Sequence, residues 1–197
     1  MKIKSLHVAS ILAIALSFTF GIYGQAKPPA AATATDKNKT DLETFQEKYG
    51  TVVIQGYTRL PSIRSGMTGS FSVLVKEFRS PASNLKTKGL VVEIDDGERY
   101  SSTARSFVEY AEIDSLLKGI EYISKIDKAV TSLDQFEAQY KTKDDFSVTV
   151  FSTRENKLSV SLRVGSIGSK SVFLDVSKLP EVVALFESAK AKLDALP

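Results

Sequence analysis

The sequence predicts an α+β fold: a predominantly antiparallel sheet covered on one face by helices, built from a four-strand-plus-helix unit that occurs twice. Three observations lead there. Apolar and polar residues alternate from Thr51 onward, the period changes to three and four at Ile113 and again at Leu179, and "FSVLV" at Phe71 returns as "FSVTV" at Phe146. Alternation sends successive side chains to opposite faces of a strand, whereas spacings of three and four gather them on one side of a helix. Runs of strands closed by one helix, with no strand–helix–strand succession, point to antiparallel sheet and away from a parallel crossover fold.

Residues 1–26 read as a signal peptide. Lys2 and Lys4 give a positive start, Ala9 to Phe20 is apolar or small, and Gly24-Gln25-Ala26 offers small residues for cleavage. The apolar run is shorter than the roughly 18–20 residues a bilayer span needs, and the rest of the chain offers no other candidate. Residues 27–40, "KPPAAATATDKNKT", are small, Pro-rich and without apolar period, and read as a flexible linker. One α+β domain is expected over 41–197, with pseudo-repeats at about 51–126 and 134–195.

The elements follow in order. Leu42 and Phe45 mark a short helix within Asp41 to Tyr49. Strands carry Val52, Ile54 and Gly56; Phe71, Val73 and Val75; Leu90, Val92 and Ile94; then Ser106, Val108 and Tyr110. Each set is expected to share one buried face. Ile113, Leu116, Leu117, Ile120, Ile123 and Ile126 form an amphipathic stripe. The second unit has strands at about Phe136 to Tyr140, Phe146 to Phe151, Leu158 to Val164 and Val172 to Val176. A helix with Leu179, Val182, Val183, Phe186 and Leu193 closes it, with Pro180 in its first turn. "FVEYAEIDSLLKGIE" at Phe107 aligns with "FLDVSKLPEVVALFE" at Phe173 and pairs Ile113 with Leu179. The connections Thr58 to Ser70 and Arg79 to Gly89 are longer than their counterparts and read as basic loops, with Arg59, Arg64, Arg79, Lys86 and Lys88.

Gly165 to Ser171, "GSIGSKS", resembles a phosphate cradle only in composition. A phosphate loop needs G-x-x-x-x-G-K-[ST] followed by a helix, whereas here the glycines are too close and a strand follows. It reads as a hairpin turn. Asp95-Asp96-Gly97-Glu98 likewise reads as an Asp-Gly turn, since calcium loops spread their oxygen ligands over more positions. Ser83/Lys86 and Ser115/Lys118 match S-x-x-K without the companion motifs of acyl enzymes.

Composition closes several chemistries. The chain has no Cys, and its single His, His7, lies in the leader. Without them there is no Ser-His-Asp or Cys-His catalysis, no thiol redox work and no ordinary zinc or copper site. No cofactor is expected. Once Lys2 and Lys4 leave with the leader, the chain keeps 24 basic against 23 acidic residues, so no concentrated basic face for nucleic acid is expected. A cysteine-free exported chain of this size favours a secreted or periplasmic location.

The sheet face opposite the helices carries the candidate binding residues: Arg105 and Phe107 in the first unit, and Phe151, Arg163 and Phe173 in the second. Arg and aromatics anchor contact surfaces; the same Phe residues also suit packing beneath a loop or the early helix. The sequence thus predicts an exported, non-catalytic binding or interaction module for an unknown protein or small ligand, with no membrane span in the mature chain. A carboxylate-dependent hydrolase and a structural component of an envelope assembly are the alternatives.

Overall fold

A computed structural model describes residues 39–66, 69–97, 103–155, 157–165 and 168–197. The leader, most of the linker and the centre of the Gly-Ser turn lie outside the described residues. The fold is α+β, with two antiparallel sheets and three helices. The expected strands divide between two sheets instead of forming one.

Helix α1 (Asp41–Gln46) is stopped at its start by a capping box, in which Thr40 accepts from the Glu43 amide and Glu43 reaches back to the Thr40 amide. The first sheet contains β1 (Ile54–Arg59), β2 (Ile63–Arg64), β3 (Ser70–Ser80), β4 (Leu85–Asp95) and β5 (Ala104–Glu109), in the order β1-β3-β4-β5 with β2 also beside β3. Then come α2 (Ile113–Ser124), a second meander of β6 (Glu137–Lys141), β7 (Ser147–Ser152), β8 (Leu158–Val164) and β9 (Lys170–Asp175), and α3 (Leu179–Asp194). Both long helices are entered through a 3₁₀ turn, at Tyr110–Glu112 and Val176–Lys178.

The registers of the two units coincide. Val73 faces Val92 and Val92 faces Ser106; in the second sheet Val148 faces Leu162 and Leu162 faces Val172. In the same frame Phe107 corresponds to Phe173 and Ile113 to Leu179, which is the pairing read from the sequence. This geometry is compatible with an internal duplication.

Each long helix covers the other unit's sheet. Helix α2 packs on β6 and β7, α3 packs on β3 and β4, and the two helices touch each other. One continuous core results. It runs from Phe71, Val92 and Val108 through Val148, Leu162 and Val172 to Leu116 and Ile120 of α2 and to Val182 and Phe186 of α3. Each such side chain, fully buried, contributes about 1.5–3 kcal/mol. The rings of Phe71, Phe146 and Phe186 meet at the centre with centroids 5.7–6.0 Å apart.

Smaller contacts lock the units together. Lys88 Nζ donates at 2.8 Å to the Leu193 carbonyl at the end of α3, which also accepts from the Leu196 amide. Lys170, the lysine of the Gly-Ser turn, forms a largely buried ion pair with Asp96 on the β4–β5 turn. The turn is a hairpin, as its flanks predict: Val164 faces Lys170, and Gly165 and Gly168 have φ of 78° and 65°.

Two further expectations are corrected. The β1 set Val52, Ile54 and Gly56 builds no buried face, because every residue of β1 is exposed. The basic connection after Phe78 is no long loop: β3 and β4 pair as far as Ser80 and Leu85, and Asn84 (φ 50°) helps close a four-residue turn. Helix α1 lies on the face of the first sheet turned away from α2 and α3, where Leu42, Phe45 and Phe78 form a second small cluster.

Candidate functional site

In each sheet, the residues that alternate with the core set form an outer face, and the two outer faces differ in chemistry. On the first sheet, Leu74 and Val91 are buried and Phe78 and Phe107 pack with α1. Gly89 makes this approach possible, since a Cβ there would meet Leu42 Cδ1 and the Val108 carbonyl. Beside this cluster Glu93, only 5 % exposed, is held between two arginines: Arg59 Nη1 donates to Oε2 at 2.5 Å and Arg105 Nε to Oε1 at 2.7 Å. Arg59 also donates to Ser72 Oγ at 3.0 Å. A buried carboxylate needs such partners. This face satisfies itself.

Arg105 and Phe107 therefore do not join the other candidate residues. Arg105 is tied to Glu93. Phe107 is half-buried against the cluster of α1, and its amide donates to Asp144 Oδ2 at 2.6 Å. Burial pushes the Asp144 carboxyl up to about 6. The packing of Phe107 beneath the early helix is the alternative the sequence left open.

The second sheet brings the remaining three together. Its outer face is a shallow concavity of about 350 Å³ in which Ser147, Thr149 and Phe151 of β7, Ser161 and Arg163 of β8, and Ser171 and Phe173 of β9 meet Glu137 and Gln139 of β6. Phe151 and Phe173 stand two strands apart, yet their centroids lie 6.3 Å from each other in an edge-to-face pair. That closeness depends on β8, whose Ser159 and Ser161 stand opposite Phe151 and Phe173 and are small enough for the rings to lean together. Such pairs contribute about 0.5–1.5 kcal/mol beyond area burial.

Arg163 stands between Ser147 and Ser171. It is exposed and makes no ion pair with any described residue. The position that corresponds to it in the first sheet is Glu93. Where the first sheet sets a carboxylate between two cations, the second sets a cation among hydroxyls. Gln139 Nε2 donates to Thr149 Oγ1 at 3.1 Å, which orients the amide at the rim.

A larger hollow of about 730 Å³ adjoins this face at the β7–β8 turn, lined by Arg154, Glu155, Lys157, Ser159 and Asp175 among others. Its volume comes from an open turn rather than from enclosure, and Lys157 and Glu155 there pair at 3.0 Å. The concavity holds more convergent side chains and is the better candidate.

The acidic turns are engaged in structure. Asp95 Oδ1 accepts from the Gly97 amide at 2.8 Å, and Asp96 holds Lys170. Among the described residues no group of three His, Asp or Glu side chains is arranged to hold a metal. The concavity contains a single carboxylate, Glu137, whereas glycoside hydrolysis uses two facing each other across a substrate. Among the described residues no helix is long and apolar enough to cross a membrane. No protein-family model matches the chain, and no curated protein matches it.

Alternation by itself does not single out Glu93. A signal was nonetheless present: one acid inside the apolar run "LVVEID", on the outward parity, with Arg105 opposite it in the next strand.

Proposed function

We propose that the protein is an exported, non-catalytic binding module whose ligand site is the outer face of the second sheet. The ligand is a small polar molecule bearing an anionic group. The observation that carries this is Arg163, a guanidinium without an ion-pair partner among the described residues, in a concavity lined by hydroxyls and bounded by the Phe151–Phe173 pair. A guanidinium matches carboxylate or phosphate oxygens in a two-point fork. Ser147, Thr149, Ser161, Ser171 and Gln139 can exchange hydrogen bonds with hydroxyls or amides, and the Phe pair supplies an apolar wall. A volume of about 350 Å³ is at the low end of the roughly 300–1,000 Å³ of ligand pockets. That size suits one compact ligand or the end group of a longer one.

The first sheet's outer face is closed by α1 and by Glu93, and Lys170 at the neighbouring turn already holds Asp96. Export rests on the leader read in residues 1–26. Calorimetric titration with glucuronate, citrate and phosphate, and with glucose as the uncharged control, tests the reading. At least one anion is expected to bind in preference to glucose, and Arg163→Ala is expected to abolish the preference. Equal responses of wild type and variant to every anion would remove the proposal.

A further inference from the structure

Among the described residues the two sheets have four edges, β1 with β2, β5, β6 and β9, and the last three are blocked. The β5 amide of Phe107 is taken by Asp144, and the β9 carbonyl of Phe173 accepts from Ser65 Oγ at 2.8 Å. Strand β6 is short and begins and ends with a charge, Glu137 and Lys141. Charges and covering contacts are how sheet edges are kept from pairing with other chains. Strand β1 is different. Its sequence from Ile54 to Thr58 is uncharged, all six residues are exposed, and Tyr57 is 70 % exposed. Tyr49 and Val52, just before it, extend the apolar surface.

The direction of the β1 backbone groups can be read from one bond. Leu60 continues the β1–β3 register, and its amide donates to the Val73 carbonyl at 2.9 Å. In an antiparallel pair every second residue turns its amide and carbonyl to the same neighbour. Thr58, Gly56 and Ile54 therefore bond β3. Gln55, Tyr57 and Arg59 turn their amides and carbonyls to the open side.

We propose that β1 is a homodimer interface, in which two copies of the chain pair their β1 strands antiparallel about a twofold axis at Tyr57. Among symmetric registers, only this one sets each outward residue of the strand opposite another outward residue: Tyr57 against the same residue of the second copy, and Gln55 against Arg59. The occupant is a second copy because the strand is complementary to its own reverse. Its one charge, Arg59, is paired with Glu93 at 2.5 Å and meets a neutral Gln across the seam, so no like charges stand directly opposite each other. The two tyrosines form a cross-strand aromatic pair at the axis. The first sheets of both copies become one continuous sheet with no exposed β1 edge. The interface is separate from the concavity of the second sheet and stands whether or not that site binds an anion.

Sedimentation of the purified protein from low to high micromolar concentration is expected to show a monomer–dimer equilibrium. Tyr57→Lys sets two ammonium groups face to face across the axis and weakens dimerisation by at least about tenfold. At concentrations where both proteins are monomeric its helix and strand content and unfolding midpoint stay unchanged, because in the monomer the side chain at 57 stands in solvent. The chain has no cysteine, so Tyr57→Cys supplies a unique thiol that oxidises to a cross-linked dimer, whereas Thr58→Cys does not. A protein that stays monomeric throughout overturns the proposal. So does a dimer that survives Tyr57→Lys and fails to cross-link through position 57, or a monomer that pairs only with extended peptides of other sequence.

Discussion

The Phe71 and Phe146 rings stack 6.0 Å apart with their planes 22° from parallel, and the two residues hold the same position in the two units. A residue can touch its own counterpart only close to a twofold axis. The contact is compatible with a twofold relation between the two units. Other contacts are compatible with it too. The β6–β7 turn of the second unit holds the Phe107 amide, and the β2 segment of the first unit, through Ser65, holds the Phe173 carbonyl. The helices exchange sheets in the same sense.

Because each helix completes the other unit's core, neither unit is expected to unfold alone. Phe71→Ala and Phe146→Ala should each cost about 3–5 kcal/mol, the range for emptying a buried phenylalanine site. Since the two sites open into one space, the double variant should lose less than the sum of the single losses. Chemical denaturation followed by fluorescence and by circular dichroism should give coincident single transitions for all three variants. Separate transitions for the two halves would contradict the shared core.

Glu93 and its arginines give an asymmetric pair of substitutions. Arg59 and Arg105 are more than half exposed, whereas Glu93 is buried. Glu93→Gln leaves two solvated cations and a neutral amide, at a cost of about 1–2 kcal/mol for charged hydrogen bonds lost. Arg59→Ala with Arg105→Ala strands a buried carboxylate and should cost about 3–5 kcal/mol. Unfolding free energies in denaturant measure both, and the order of the two losses is the point at issue.

Asp144 sets a pH dependence of known sign. Its carboxyl is raised to about 6 by burial, above the roughly 3.9 of an unfolded chain. The folded state therefore binds the proton more tightly, and this contribution to stability is present below pH 4 and lost as pH rises through 6. The group is partly exposed, so the effect is discounted to about 1 kcal/mol. Asp144→Asn keeps an oxygen to accept from the Phe107 amide. It should be more stable than wild type at pH 7 and no more stable at pH 4. Melting temperatures across that window decide it.

Gly119 in α2 lies against the Tyr140 ring of β6, and a Cβ there would sit well inside contact distance of the ring. Gly→Ala in a helix ordinarily stabilises by about 1 kcal/mol. Here Gly119→Ala should destabilise by roughly 1–3 kcal/mol, as overpacking does. In a Tyr140→Ala background the same change should become favourable. Thermal unfolding of the four proteins gives the coupling, and a loss that persists without the ring would show that sterics with Tyr140 is not the cause.

Much of this fold was legible because its signals are local. Strand β8, Leu158–Val164, is read residue for residue from its alternation, and α2 and α3 begin at Ile113 and Leu179 as the period predicts. What was not legible depends on distant partners. Val52 and Ile54 alternate like a half-buried strand, but no described element comes to cover them. Lys86 and Lys88 hide the length of β4, since a strand projecting into solvent needs no apolar pattern. Among the candidate site residues, Phe151, Arg163 and Phe173 follow from parity alone. Phe107 shares that parity, and only the placement of Leu42 and Phe45 over the first sheet separates it from them.

Chemical-shift mapping of the anion that binds best tests the central claim most directly. Amide signals of Thr149, Ser161, Arg163 and Phe173 are expected to move together and saturate at one ligand concentration, with those of Arg105 and Phe107 still. Shifts confined to the first sheet, or to the β7–β8 turn at Arg154 and Lys157, would place binding elsewhere and contradict it.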